Sequence, residues 1–146
     1  MIEEALGSGY LIAIVAAWLV SHTVKYLVTR SKGVNAKIRA HLFVSGGMPS
    51  AHTSSSIALL TIIGLSDGVG SGLFGLAALF TLIVMYDSMK IRRSSGEQGL
   101  AIKALIKRAK IKVQEPFVAK GHTQTEVIAG AVLGFLIGLV VFFATS

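Results

Sequence analysis

Ser45-Gly46-Gly47-Met48-Pro49-Ser50-Ala51-His52-Thr53-Ser54-Ser55-Ser56 is a polar, glycine-rich run set between two strongly apolar regions. Proline at a first helical position has a suitable φ and lacks a donor that would go unused there, so the run predicts a helix entered at Pro49. The N–H groups of Ser50, Ala51 and His52 then have no partner inside the helix and point beyond its end. With the positive end of the helix dipole they suit a phosphate-like anion, and Gly46 and Gly47 let the preceding backbone fold close to it. A glycine turn that only caps an ordinary helix is the alternative reading of these residues, and the rest of the chain bears on the choice.

Outward from this run, apolar stretches near 10–28, 49–65, 69–86 and 127–144 approach the roughly 20 residues that cross a bilayer. The chain has 146 residues and is 53% hydrophobic with a mean hydropathy of +0.71, too apolar for a soluble domain. These features predict one membrane-embedded domain, residues 1–146: an all-α bundle of four spans. A helix over 98–113, with Lys103, Lys107 and Lys110 along one face, is expected to lie in the interface between the third and fourth spans and to stop at Pro116. The second stretch is short and starts with His52, Thr53, Ser54, Ser55 and Ser56, so that end is expected to face protein or a wet cavity.

The charges divide by side. The net charge is +7. Arg30, Lys32, Lys37 and Arg39 occupy the first link, and Lys90, Arg92, Arg93, Lys103, Lys107, Arg108, Lys110, Lys112 and Lys120 the last. With Lys25 these are all 14 Lys and Arg residues, whereas the Ser66-Asp67-Gly68 link has none. The placement speaks for a membrane partner and against nucleic acid. By the positive-inside rule both basic links are expected to be cytoplasmic and both termini outside, and Glu3 and Glu4, standing where a signal peptide would carry positive charge, argue against a cleaved signal. The plasma (inner) membrane is the expected location. With no cysteine, disulfides and thiolate chemistry are excluded. Gly130, Gly134 and Gly138 form a small-residue ridge that packing inside the protomer and formation of a homodimer explain equally well.

All four stretches bring polar groups to one end: His22 and Lys25 from the first, Ser50 and His52 from the second, Asp87, Arg92 and Arg93 after the third, and His122 and Glu126 at the fourth. Each has a plainer role. Lys25 can snorkel, Arg92 and Arg93 can anchor the cytoplasmic side, Asp87 can be an ion-pair partner, and Thr123-x-x-Glu126 fits a capping box. If the helix includes His122, its i, i+4 spacing puts Glu126 on the same face, where the carboxylate accepts from one ring nitrogen and leaves the other nucleophilic. His41 carries no assigned role. Two histidines, a carboxylate and several cations suit phosphoryl transfer by covalent catalysis, one imidazole attacking and the other protonating the leaving oxygen. No metal or cofactor is expected.

Gly46-Gly47-Met48-Pro49-Ser50-Ala51-His52, Met85-Tyr86-Asp87 with Arg92-Arg93-Ser94-Ser95-Gly96-Glu97-Gln98, and Gly121-His122-Thr123-Gln124-Thr125-Glu126-Val127 together resemble the divergent branch of the type-2 phosphatidic acid phosphatases, which is grouped with acid phosphatases and vanadium-dependent haloperoxidases. The likeness implies an all-helical fold and metal-independent phosphomonoester or diphosphate hydrolysis through a phosphohistidine, and the expected substrate is a lipid-linked phosphate or diphosphate at the cytoplasmic face. It makes His122 the nucleophile, Glu126 its orienting partner and His52 the general acid, with Ser50 and the Gly47 backbone on the phosphate. Lys25, Arg92 and Arg93 then supply charge. The chain departs from the usual pattern in having Glu126 for Asp, Pro116 where an Arg precedes the nucleophile by six residues, and Ala40 after Lys32-x6-Arg39. A non-catalytic protein that binds phosphorylated head groups is the alternative expectation.

Overall fold

A computed structural model describes residues 9–31, 33 and 46–146. Lys32, Lys37, Arg39, His41 and Ser45 lie outside the described residues, as do Glu3 and Glu4. The described chain is helical: α1 is Gly9–Ser31, α2 Ala51–Ser66, α3 Gly72–Tyr86, α4 Arg92–Ala109 and α5 Gln124–Thr145. A π-helical turn, Asp87–Ile91, joins α3 to α4.

Among the described residues three helices are long and apolar enough to cross a membrane: Gly9–Ser31, the continuous Gly72–Ala109, and Gln124–Thr145. The 16 residues of α2 reach only about 24 Å at 1.5 Å per residue, short of a hydrocarbon core of about 30 Å. Its position accounts for its length and composition. α2 is the central helix, packed against α1, α3 and α5, and its Ser50, Thr53, Ser54 and Ser56 are buried in protein. Ser55 Oγ donates to the Ile14 carbonyl of α1 at 3.4 Å, and Thr81 Oγ1 of α3 donates to the Ser56 carbonyl at 3.3 Å. Lipid therefore meets little of α2, and its hydroxyl-rich turns are tolerated.

Small residues set the helix spacing. Ala13 and Ala17 of α1, Ala58 and Ile62 of α2 and Val141 of α5 form the buried core. The Gly130, Gly134, Gly138 ridge faces α2 of the same chain: a Cβ at Gly130 would stand 2.5 Å from the Ser50 carbonyl oxygen, one at Gly134 would drive into the Ser54 carbonyl, and one at Gly138 would meet Thr61 at 2.7 Å. Of the two uses expected of this ridge, packing inside the protomer is the one observed, and a second copy would have to displace α2 to use the same face.

Two boundaries differ from expectation. The second helix starts at Ala51, not Pro49, because Ser50 is its N-cap, accepting from Thr53 N–H at 3.5 Å; Pro49 precedes it after a cis Met48–Pro49 bond. The basic amphipathic segment is no separate helix over 98–113. It continues α3 through the π turn and ends at Ala109, where Lys110 takes a left-handed conformation at φ 53°, well before Pro116. The strand-less segment after it folds back on α4: Gly96 packs against the Ala119 backbone, Gly99 against Val118, and Lys103 Nζ lies 3.3 Å from Glu115.

The bundle has two unlike ends. At one, Gly9 packs against Ile62 and Thr145, and Tyr10 OH donates to Asp67 at 2.7 Å. At the other, Lys25, Gly47 and the starts of α2 and α5 meet.

Candidate functional site

The site is assembled by backbone contacts among three chain segments. The Ser50 N–H donates to the Glu126 carbonyl at 3.0 Å, which locks the start of α2 to the first turn of α5. The His122 N–H donates to the Ser88 carbonyl at 2.9 Å, which locks the segment before α5 to the π turn. In that turn the Arg92 N–H donates to the Asp87 carbonyl, an i→i+5 bond, so it does not occupy the Ser88 carbonyl as a regular α-helix would. The π turn thus presents the acceptor that His122 uses.

Glycines allow the close approach. Gly121 has φ +64° and a Cβ there would meet the Arg93 nitrogen at 2.6 Å, so only glycine passes against the Arg92–Arg93 backbone. Gly46 and Gly47 also have positive φ; Gly46 lies against the Gly121 carbonyl, and the methylenes of Lys25 lie against Gly47.

His122 is buried, with 6% of its surface exposed. Its Nδ1 lies 3.1 Å from Glu126 Oε2, and the same oxygen accepts the Thr123 N–H at 3.0 Å. Thr123 Oγ1 in turn accepts the Glu126 N–H at 3.3 Å, which completes a capping box. The two roles open to Glu126 in the sequence are therefore held together. His122 precedes the helix instead of lying in it, and the pair forms because the capping carboxylate reaches back past the N-cap. A carboxylate only accepts, so Nδ1 carries the proton and Nε2 keeps its lone pair. Burial pushes the His122 imidazole below its ordinary 6.5; the Glu126 hydrogen bond and charge oppose this, and the charges of Lys25 and His52 add to it.

Lys25, Thr29, Gly46, Gly47, Arg93, Lys120, Gly121, His122, Thr123 and Glu126 line a cavity of about 450 Å³. Of the residues expected at a phosphate, Lys25, Gly47, Arg93, His122 and Glu126 are on its wall. Ser50, His52 and Arg92 are not. Ser50 is fully buried and occupied as the helix cap, with Thr53 Oγ1 donating to its oxygen at 3.0 Å. Arg92 pairs through Nε with Asp87 Oδ2 at 2.5 Å. His52, in the first turn of α2, is exposed and lies within the fields of Arg92, Lys25 and Asp87. His22 stacks on Trp18 with ring centroids 4.3 Å apart. Sequence reasoning missed Lys120, which it counted only among the cytoplasmic cations; its place two residues before His122 was the available signal. Lys120 brings to the wall a cation from the segment where the usual pattern has an arginine and this chain has Pro116. Among the described residues no group of three or more His, Cys, Asp or Glu is arranged to hold a metal ion.

A buried imidazole backed by a carboxylate thus lies on a cation-lined cavity at one end of a helical membrane protein. The chain belongs to the Divergent PAP2 family, which it matches over residues 6–137. It is 31% identical over 152 residues to the uncharacterized membrane protein YuiD of Bacillus subtilis (strain 168), with 91% of this chain and 90% of that protein covered. No solved structure matches it.

Proposed function

We propose that the protein is a membrane phosphatase that hydrolyses a lipid-linked phosphate or diphosphate through a phosphohistidine on His122. The observation that carries this reading is the His122 ring, held by Glu126 at Nδ1 and set on the wall of a cavity that Lys25, Arg93 and Lys120 also line. His122 Nε2 attacks phosphorus, and the bond from phosphorus to the lipid oxygen breaks. His52 gives that oxygen a proton. Water then gives a proton to His52 and attacks the phosphohistidine; the bond from phosphorus to Nε2 breaks, orthophosphate leaves and both imidazoles are restored. Glu126 stabilises the positive ring of the intermediate, while the cations and the Gly46–Gly47 backbone take up charge on the phosphate oxygens. The site faces the cytoplasm in this reading, because the basic segments sit at its end of the bundle.

One observation favours a second reading, a non-catalytic binder of phosphorylated head groups: His52 stands outside the cavity lining. Phosphate release from phosphatidate, phosphatidylglycerophosphate and a polyprenyl diphosphate by the purified protein in detergent separates the two. His122→Ala and His52→Ala are each expected to lower release by about 10³-fold or more. On an aryl phosphate, whose leaving group needs little protonation, His52→Ala should regain much of its activity and His122→Ala none. Equal recovery in both variants overturns the roles; no release from any substrate by the native protein leaves the binder.

A further inference from the structure

His122 stands between two cavities. The second, about 330 Å³, is lined by Met89, Lys90, Arg93, His122, Thr123, Gln124 and Thr125. Arg93, His122 and Thr123 therefore belong to both. Nothing in the reaction proposed above uses the second one, yet its lining is suited to an anion. It has the cations Lys90 and Arg93, two threonines, the first-turn residues of α5 and no carboxylate. The His122 ring is more than nine-tenths buried, and its Nε2 has no hydrogen-bond partner among the described residues.

Charge indicates what the pair of cavities takes. Lys25, Lys90, Arg93 and Lys120 together face one carboxylate, Glu126, while exposed Glu97 shares Arg93 through Nε at 3.3 Å. A phosphomonoester carries about −1.5 to −2 near neutral pH, enough for the first cavity but leaving Lys90 without a counter-charge. We propose that the head group recognised here carries two phosphates, one in each cavity, with Lys90 holding the one that is not transferred. This rests on the phosphatase reading and narrows its substrate class from any lipid phosphate to one bearing a second phosphate beside the scissile one. The second phosphate is joined either directly, as in a diphosphate, or through a short carbon linker.

Calorimetric titration of the full-length protein in detergent tests this with three soluble probes: methylphosphonate, methylenediphosphonate and propane-1,3-diyl bisphosphate. At least one of the two-phosphate probes should bind about tenfold or more tightly than methylphosphonate, as one added charge-assisted contact implies, and the tighter of the two identifies the linkage. Lys90→Gln, at an exposed position where folding is not at stake, should bring that affinity ratio down toward one. Thr125→Val, on the same wall, should lower it less. A ratio near one in the native protein, or a high ratio that Lys90→Gln leaves intact, overturns the second subsite while phosphate release continues. Absence of binding by any probe together with absence of phosphate release removes the phosphatase reading as well.

Discussion

Glu126 Oε2 serves two donors at once, the His122 ring and the Thr123 backbone, so the residue that caps the last helix also orients the His122 imidazole. This coupling gives a pH signature. In the proposed reaction His122 attacks only when neutral, and burial holds its pKa below the ordinary 6.5, so the acid limb of kcat/KM should fall below pH 6.5. Lys25 lowers that pKa, so Lys25→Met should move the limb to higher pH. Glu126 raises it, so Glu126→Gln should move the limb to lower pH while lowering the maximum rate. A pH series on phosphate release reads both midpoints, and shifts of the opposite sign would contradict the assignment. The His122–Glu126 pair was legible in the sequence because a spacing of four residues survives whether the histidine lies in the helix or just before it. The fate of Ser50 was not legible: a serine that caps a buried helix and one that holds a phosphate read alike until the packing around them is known.

At the scale of elements, the helices follow from hydropathy, but two connections do not. The π turn, Asp87–Ile91, has no sequence periodicity of its own over five residues, so the join of α3 to α4 and the Ser88 carbonyl it presents to His122 stayed hidden. The glycine ridge was plain in the sequence and its partner was not, since a row of small residues accepts any helix. Now that α2 is its partner, Gly134→Ala is expected to destabilise the protein by about 3 kcal/mol, the upper range for overpacking, because its Cβ meets backbone that cannot step aside. Gly75→Ala on α3 meets nothing within 4 Å and should be neutral or stabilising by up to about 1 kcal/mol. Denaturant titration of the helical signal compares the two, and equal effects would mean that the ridge is not closely packed.

Over the whole molecule, Lys25, Lys90, Arg92, Arg93 and Lys120 gather around the site end, whereas the turn that holds Asp67 is at the other. That asymmetry predicts an orientation. A single cysteine at Lys107 in intact cells should resist an impermeant thiol reagent and one at Gly68 should react; the reverse pattern would invert the proposed topology. The difference in charge between the two ends was readable from the sequence because cations are counted along the chain without any knowledge of packing. The meeting of the outermost helices was not, since it depends on how α1 and α5 lie across α2. Gly9 rests against Thr145, so the first and last helices emerge together at the end away from His122. A label, tether or fused reporter attached after Thr145 would then stand about 33 Å along α5 from the first turn that carries Glu126, far enough to fix the protein to a surface with both cavities left unobstructed.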